Sequence, residues 1–135
     1  MRKKLIELAK EAREYAYAPY SNFKVGAAVL TSNGKTFTGA NIENSSYGAT
    51  VCAERVAVFN AVSAGEKEIV ELAVVADTKE LSMPCGICRQ VLVEFSKDLK
   101  IYVANLDGKF IEKTLEDLLP MAFTRENLKG VKRNI

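Results

Sequence analysis

Apolar side chains recur at helical spacing in four stretches of the chain. Leu5, Leu8 and Ala12 mark the first, an amphipathic helix that Pro19 ends. The periodicity predicts helices over residues 3–17, 50–63, 86–96 and 115–119. Gly65 ends the second of them, which separates it from the apolar run that follows.

Short apolar runs between these stretches have the length of strands. They predict strands over residues 24–31, 36–42, 69–76, 99–106 and 109–112. Asn33-Gly34 is a strong signal for a hairpin between the first two. Because the later strands are separated by helices, the pattern predicts a mixed five-stranded sheet with helices on its faces, a three-layer α/β/α sandwich.

Composition narrows the class of protein. At 135 residues, 48% of them hydrophobic and without repeats or linkers, the chain is expected to form one domain over residues 1–135. The net charge is +2 and the basic residues are spread out, so no nucleic-acid partner is expected. Lys129, Lys132 and Arg133 form only a weak basic patch in a solvated tail. With no apolar run of membrane length and no signal-peptide core, we expect a cytoplasmic protein without a membrane partner.

The three cysteines carry the clearest chemical signal, because the chain has no histidine. Cys52 lies in the segment CAER, and Cys85 and Cys88 lie in PCGICRQ. A structural zinc site closes four Cys or His ligands, whereas a catalytic site uses three and leaves one position for water. Glu54, two residues after Cys52, is placed to act on that water. Cys-x-Glu followed by Pro-Cys-x-x-Cys matches the signature of zinc deaminases in an all-cysteine form.

The predicted helices bring the two clusters into one site. Cys85 and Cys88 share a face at one helix start, and Cys52 comes from another. Helix N-termini favour thiolate over thiol. Three thiolates around Zn²⁺ leave a net charge of −1, and we expect Arg55 and Arg89 to offset it.

The three cysteines have alternative interpretations. A lone Cys-x-x-Cys is also typical of redox dithiols, although these need no third cysteine. Glu54 as a fourth ligand would make the zinc site structural. Inert burial is the commonest fate of a single cysteine, but three beside a glutamate and two arginines make it a poor explanation. An odd count without a secretion signal argues against a disulfide framework.

Five segments together resemble one family, the small homotetrameric all-cysteine zinc cytidine deaminases of pyrimidine salvage. They are YAPYSNFKVGAA at 17–28, GANIEN at 39–44, CAER at 52–55, PCGICRQ at 84–90 and LLPMAF at 118–123. The resemblance covers nearly the whole chain and implies a cytidine deaminase-like fold, one Zn²⁺ per subunit, a nucleoside substrate and a homotetramer with sites shared between subunits.

The resemblance also implies roles for single residues. They are zinc binding by Cys52, Cys85 and Cys88, proton transfer by Glu54, ribose binding by Asn41 and Glu43, stacking of Phe23 on the pyrimidine, and partial neutralisation of the thiolates by Arg55. Phe123 is implied to reach the site of a neighbouring subunit.

The substrate-binding residues have plainer interpretations as well. Asn41 and Glu43 alternate around Ile42 at a strand end, so both side chains point the same way, as a grip on two adjacent hydroxyls requires. A solvated strand end is the alternative. Phe23 and Phe123 are alternatively a core residue and an anchor for the tail.

Three residues depart from the family pattern. Ile87 replaces the usual alanine between the ligand cysteines, Val56 replaces a common threonine, and Met121 replaces a glycine or serine. The first two bear on packing around the site, and Met121 bears on the position of Phe123.

The predicted reaction is hydrolytic deamination of cytidine and deoxycytidine to uridine and deoxyuridine with release of ammonia. Glu54 serves as base and then as acid. Two alternatives are deamination of another aminopyrimidine, such as a blasticidin-type nucleoside, and a nucleic-acid editor. Editors are expected to carry basic or aromatic extensions, which this sequence lacks.

Overall fold

A mixed sheet of five strands forms the centre of the part of the chain described by the computed structural model, residues 1–129. The strands are β1 (Val25–Thr31), β2 (Thr36–Ala40), β3 (Ile69–Ala76), β4 (Lys100–Asn105) and β5 (Phe110–Thr114). Their order in the sheet is β2-β1-β3-β4-β5. Only β3 and β4 pair in parallel among these strands; the other neighbours are antiparallel. The predicted mixed five-stranded sheet is therefore confirmed.

Helices cover both faces of the sheet. They are α1 (Arg2–Arg13), α2 (Ala53–Ser63), α3 (Gly86–Glu94), α4 (Leu115–Leu118) and α5 (Arg125–Lys129). Helix α1 packs on one face, where Leu5 and Ala9 meet Ala28 and Ala73 in a buried cluster. Helices α2 and α3 pack on the other face in a second cluster. Because strands buried on both faces read as continuous apolar runs, this three-layer arrangement explains the run in β1.

The ends of several elements differ from the sequence prediction. Helix α1 ends four residues early, because Tyr15 is 85% exposed and Tyr17 turns away to pair with Ile42. Strand β2 ends at Ala40, and α2 begins only after Cys52. Two short elements were not predicted, a 3₁₀ turn at Tyr47–Ala49 and helix α5.

Glycines set two of the closest approaches between layers. A Cβ on Gly39 in β2 would overlap the backbone of Ala57 and the carbonyl oxygen of Ala53 in α2. A Cβ on Gly26 in β1 would overlap α1 in the same way, at Ala9. Gly39 therefore lets the first turn of α2, which carries Glu54, lie directly against the sheet.

One residue of the predicted basic patch, Lys129, is paired with a carboxylate. Lys129 forms an exposed ion pair with Glu126 at 3.1 Å. Lys132 and Arg133, the rest of the predicted basic patch, lie outside the described residues. Across residues 1–129, none of the helices has the length and hydropathy needed to cross a membrane.

Candidate active site

Three cysteine sulfurs meet where α2 and α3 begin. Cys52 and Cys85 are the N-cap residues of α2 and α3, and Cys88 lies in the first turn of α3. The Sγ–Sγ distance is 3.8 Å from Cys52 to Cys85 and 3.3 Å from Cys85 to Cys88, and all three sulfurs lie within 4.8 Å of one another. Tetrahedral zinc with Zn–S bonds of about 2.3 Å separates its sulfurs by about 3.8 Å. The sulfurs therefore fit one zinc ion.

Among the described residues, this cluster consists of three metal-ligating side chains and has no fourth. Neither N-cap thiol accepts a capping hydrogen bond from a backbone N–H of its own helix, so both sulfurs remain available to a metal. A site of three protein ligands and one open position is the arrangement of catalytic zinc.

One of the three thiols in the cluster loses its proton readily, whereas the loss of a second proton is unfavourable. The pKa of Cys52 is lowered to about 5, first by its hydrogen bond with Cys88 and further by Arg55 and Cys85. The pKa of Cys88 is raised by the same hydrogen bond with Cys52 and by burial. Because deprotonating all three thiols gathers like charges, the donor set suits a divalent cation that neutralises them.

Arg55 lies against the cluster. Its Nη2 is 3.6 Å from the Sγ of Cys52 and 3.5 Å from the carbonyl oxygen of Thr50. Its buried Nε has no hydrogen-bond partner within the described part of the chain. The hydrogen bond with Cys52 raises the pKa of the guanidinium, so Arg55 is a fixed positive charge beside a sulfur.

Arg89, expected beside the sulfurs, points elsewhere. Its Nε donates to the carbonyl oxygen of Pro84 at 2.7 Å, and its Nη1 donates to the carbonyl oxygen of Leu118 at 2.8 Å. The guanidinium thus binds two backbone carbonyls, one of them next to Cys85, and its hydrogen bonds in the described chain do not reach a sulfur. The expectation that Arg89 offsets the thiolate charge therefore has no direct contact to support it and stays a prediction.

Glu54 is a buried carboxyl group next to the metal-binding cysteines. It lies in the first turn of α2 and is 5% exposed. Burial raises the pKa of Glu54 to about 7, and the nearby Cys52 acts in the same direction. A carboxyl group that titrates near neutrality is suited to take up and release a proton within one reaction cycle.

One cavity of about 270 Å³ joins the predicted chemical and substrate-binding residues. Cys52, Glu54 and Cys85 line it together with Phe23, Asn41 and Glu43. The other lining residues are Ser21, Val25, Thr50, Val51, Ala53, Val74, Ser82 and Met83. Such a volume holds a small molecule.

Asn41 and Glu43 also hold the segment that carries Phe23. The side chain of Asn41 accepts from the backbone N–H of Val25 at 2.9 Å and donates to the carbonyl oxygen of Phe23 at 2.8 Å. Glu43 accepts from the backbone N–H groups of Tyr20 and Ser21 at 2.9 and 3.1 Å, and from the Ser21 hydroxyl. The Ser21 hydroxyl lowers the pKa of Glu43, so this wall of the cavity is anionic at neutral pH.

The hydrogen bonds of Asn41 and Glu43 to the segment that leads into β1 were not predicted from the sequence. The alternation around Ile42 indicated that Asn41 and Glu43 face one way, but it did not indicate their hydrogen bonds to residues 20–25. Ser21 belongs to this network and lines the cavity. Its position within the YAPYSNF segment was the one available signal.

Phe123 does not line the cavity of its own chain. Its side chain is 59% exposed, and Gln90 donates to its carbonyl oxygen at 2.8 Å. Met121, two residues earlier, has a φ of 53° in the left-handed region, where a glycine would be least strained. Ile87, between the ligand cysteines, is 63% exposed and so directs its side chain away from the protein interior.

Fold and site together define a class of enzyme, the zinc-dependent deaminases, in which thiolate ligands and a non-ligating glutamate activate water. The family model of the cytidine and deoxycytidylate deaminase zinc-binding region matches residues 1–104, and the chain belongs to this family. The cysteine cluster is accordingly positioned for the zinc ion of that region.

Relatives and solved structures agree with this assignment. A cytidine deaminase of Halalkalibacterium halodurans is 54% identical over 94% of this chain and 97% of its own length. The crystal structure of cytidine deaminase from Burkholderia pseudomallei is 50% identical, covers 91% of this chain and 99% of that chain, and superposes with a TM-score of 0.88. Cytidine deaminase from Mycobacterium tuberculosis is 42% identical over 90% of this chain and 96% of that chain, with a TM-score of 0.79.

Proposed function

We propose that the protein catalyses the hydrolytic deamination of cytidine and deoxycytidine, giving uridine and deoxyuridine with release of ammonia. One observation carries the proposal: Cys52, Cys85 and Glu54 share a cavity of about 270 Å³ with Phe23, Asn41 and Glu43. Metal-binding groups, a proton carrier and groups suited to a nucleoside thus face the same space. The names of the similar proteins support the same activity.

The thiolates of Cys52, Cys85 and Cys88 hold one Zn²⁺ per subunit in this proposal. When bound, zinc supplies Lewis acidity, which makes hydroxide available near neutral pH. Arg55 places a positive charge 3.6 Å from the Cys52 sulfur, which reduces the electron density that this thiolate donates. The N-termini of α2 and α3 add positive ends of helix dipoles at the same place.

Glu54 moves the protons. Its carboxylate takes one proton from the attacking water, and the resulting C–O bond forms at carbon 4 of the ring. The carboxyl group then protonates ring nitrogen 3. Glu54 accepts the remaining hydroxyl proton and passes it to the amino group, which leaves as ammonia as the C–N bond breaks. The balance is one nucleoside and one water consumed for one product nucleoside and one ammonia.

Asn41 and Glu43 bind the ribose hydroxyls, and Phe23 packs against the pyrimidine. Oε2 of the Glu43 carboxylate accepts from the Ser21 hydroxyl and has acceptor capacity left for a substrate hydroxyl, whereas Oε1 already accepts from the backbone N–H groups of Tyr20 and Ser21. The same side chains hold Phe23 in place, so base and sugar are recognised by one connected network.

The remaining assignments concern the whole protein. The chain acts as one catalytic domain over residues 1–135, assembles as a homotetramer in which Phe123 contributes to a neighbour's site, and serves pyrimidine salvage in the cytoplasm. The exposure of Phe123 and its absence from the lining of its own cavity support a contact with another subunit.

A direct test is the loss of the ultraviolet absorbance of cytidine on addition of zinc-loaded protein. Glu54→Gln has nearly the same shape and lacks the proton carrier, so we expect it to retain zinc and fold while losing at least a hundredfold in kcat. Near-normal turnover by a zinc-loaded Glu54→Gln variant would refute the mechanism.

A substrate panel separates the alternative function. Cytidine, deoxycytidine, cytosine and a blasticidin-type nucleoside are compared by kcat/KM. We expect cytidine and deoxycytidine to have the highest kcat/KM, because Asn41 and Glu43 face the cavity where an ordinary ribose would lie. Higher kcat/KM for the blasticidin-type compound would favour the alternative.

A further inference from the structure

Arg89 makes two hydrogen bonds that the proposed chemistry does not use. Its guanidinium joins the carbonyl oxygen of Pro84, 2.7 Å from Nε, to that of Leu118, 2.8 Å from Nη1. The bonded residues lie on different elements, since Pro84 precedes α3 and Leu118 is the last residue of α4. A half-buried arginine that spans two segments so closely restricts both.

The first of these carbonyls belongs to the peptide that leads into the metal site. Pro84 is fully buried, and its carbonyl carbon is bonded to the backbone nitrogen of Cys85. Because a peptide is planar, the bond from Arg89 fixes the plane that leads into Cys85. Arg89 also lies one residue after Cys88, so its side chain folds back along the turn that carries both ligands.

The second carbonyl belongs to the start of the C-terminal segment. Helix α4 has four residues, with a capping box of Thr114 and Asp117 at its N-terminal end. At the other end of α4, the carbonyl oxygen of Leu118 accepts a hydrogen bond from the Arg89 guanidinium. Gln90 then donates to the carbonyl oxygen of Phe123 at 2.8 Å. Two consecutive side chains of α3 thus hold residues 118–123 at both ends.

We propose that Arg89 is a positioning residue for the zinc site, which it holds in register with the C-terminal segment through the carbonyls of Pro84 and Leu118. The role rests on the proposed zinc-dependent function. Loss of the guanidinium frees the peptide before Cys85, so the site holds zinc less firmly and in a more variable geometry.

The test measures zinc without turnover. Zinc-loaded parent protein, Arg89→Met and Arg89→Lys are mixed with the chelator 4-(2-pyridylazo)resorcinol, and the rate of zinc release is followed by absorbance. Methionine keeps much of the side-chain length and removes all donors, whereas lysine keeps the charge and loses the fork that reaches two carbonyls. We expect release at least tenfold faster from Arg89→Met, with Arg89→Lys between it and the parent.

Arg13→Met is the matched control. Arg13 is also largely buried, and its Nε donates to the carbonyl oxygen of Lys24 at 3.2 Å, away from the cysteines. We expect this variant to release zinc within twofold of the parent. The proposal is overturned if Arg89→Met releases zinc within twofold of the parent rate. It is also overturned if Arg13→Met releases zinc as fast as Arg89→Met does. Should Arg89→Met fail to fold, Arg89→Lys carries the same comparison by the same criteria.

Cobalt replacement gives a second readout. The visible and thiolate-to-metal absorption bands of Co²⁺ in the site report its coordination geometry, and we expect them to shift in Arg89→Met but not in Arg13→Met. Unchanged bands in Arg89→Met together with a lower melting temperature would show a structural role only and overturn the proposal. A parent protein that holds zinc but leaves cytidine unchanged would count against the proposed function alone.

Discussion

At the scale of single residues, Arg55 and Arg89 show how differently two arginines beside metal ligands act. Arg55 faces the Cys52 sulfur at 3.6 Å, whereas Arg89 binds the carbonyls of Pro84 and Leu118. Three thiolates give a zinc site a net charge of −1, which reduces the acidity of a water in the fourth position. These contacts support the proposals that Arg55 tunes the metal and that Arg89 positions the backbone around it.

Removal of Arg55 should slow the reaction more than it weakens substrate binding. Hydrogen bonds to charged groups contribute about 1.5–3 kcal/mol, which corresponds to a fall of roughly 10-fold to 100-fold in rate. We expect Arg55→Ala to lower kcat within this range and to change KM less than threefold. Steady-state kinetics with zinc content measured on the same samples checks this, with Arg125→Ala as an exposed-arginine control. A rise in KM at unchanged kcat would assign Arg55 to substrate binding.

The identity of the metal-site residues was predictable from the sequence because few residue types bind zinc. Three cysteines in a chain without histidine left little choice of ligands, and Glu54 was the carboxyl group two residues from one of them. The direction of Arg89 was not predictable. Its long side chain selects among carbonyls and sulfurs according to elements that are distant in sequence, such as the end of α4.

At the scale of elements, the placement of α2 depends on Gly39. A Cβ there would overlap backbone atoms of Ala53 and Ala57, which cannot move without moving the helix. Asn60 adds a hydrogen bond from α2 to the carbonyl oxygen of Thr38 at 2.8 Å. Since Cys52 and Glu54 lie at the start of the same helix, the contact between β2 and α2 sets the site geometry.

A Gly39→Ala variant should therefore impair the site as well as the fold. Overpacking typically costs about 1–3 kcal/mol, and here the added methyl group displaces the first turn of α2. We expect a lower melting temperature, a kcat at least tenfold lower and faster zinc release. Gly26→Ala is the matched control, because Gly26 is even more crowded by backbone atoms but faces α1. It should lose stability while its zinc release stays within twofold of the parent; equal effects on zinc would contradict this account.

Glu66 joins the end of α2 to the turn between β1 and β2. Its carboxylate accepts from the Thr31 hydroxyl at 2.7 Å and from the side-chain amide of Asn33 at 3.0 Å. These hydrogen bonds, with that of Thr31 the stronger, lower the pKa of Glu66 from its ordinary value of 4.5. A lowered pKa in the folded state contributes stability that is present above the unfolded pKa and is lost as the pH falls through the folded pKa.

The stability difference between the parent and Glu66→Gln should accordingly depend on pH. We expect the parent to be more stable at about pH 7, and the difference to narrow below about pH 4.5 as the carboxylate is protonated. Urea unfolding at about pH 7 and about pH 4 measures it, with Glu116→Gln at an exposed position as the control. A difference that stays constant over this interval would contradict a depressed pKa.

The sequence predicted whether a segment forms a helix or a strand more accurately than it predicted the residues at which that element begins and ends. The continuous apolar run gave β3 its observed bounds, because a strand buried on both faces leaves a run of its own length. The first helix was predicted too long, since Tyr15 and Ala16 continue the helical spacing but do not pack on the sheet. Strand β2 was also predicted too long, because the isolated pairing of Ile42 with Tyr17 and Val51 depends on residues far apart in the chain.

At the scale of the whole molecule, the sheet order explains why the site forms where it does. The loop after β3 leads into Cys85, and the chain after β2 leads into Cys52, so two segments far apart in sequence start neighbouring helices. Helical periodicity and strand runs predicted the layers. The convergence of the two helix starts followed from the resemblance and from the requirement of one metal for three ligands.

Assembly gives the last prediction, because Phe123 lies outside its own cavity and exposes 59% of its side chain. If Phe123 serves a neighbour's site, Phe123→Ala should raise KM for cytidine severalfold with a smaller effect on kcat. Subunits of Phe123→Ala can be mixed and reassembled with inactive Glu54→Gln subunits. Some sites in the mixture then combine the intact Glu54 of a Phe123→Ala subunit with the intact Phe123 of a Glu54→Gln subunit. At low cytidine concentration, activity per Phe123→Ala subunit should rise in the mixture.

If Phe123 instead acts within its own chain, mixing restores nothing, and activity per Phe123→Ala subunit stays constant. Size-exclusion chromatography of the parent and the mixture establishes that both contain oligomers of the same size, so that the comparison reports on the site alone.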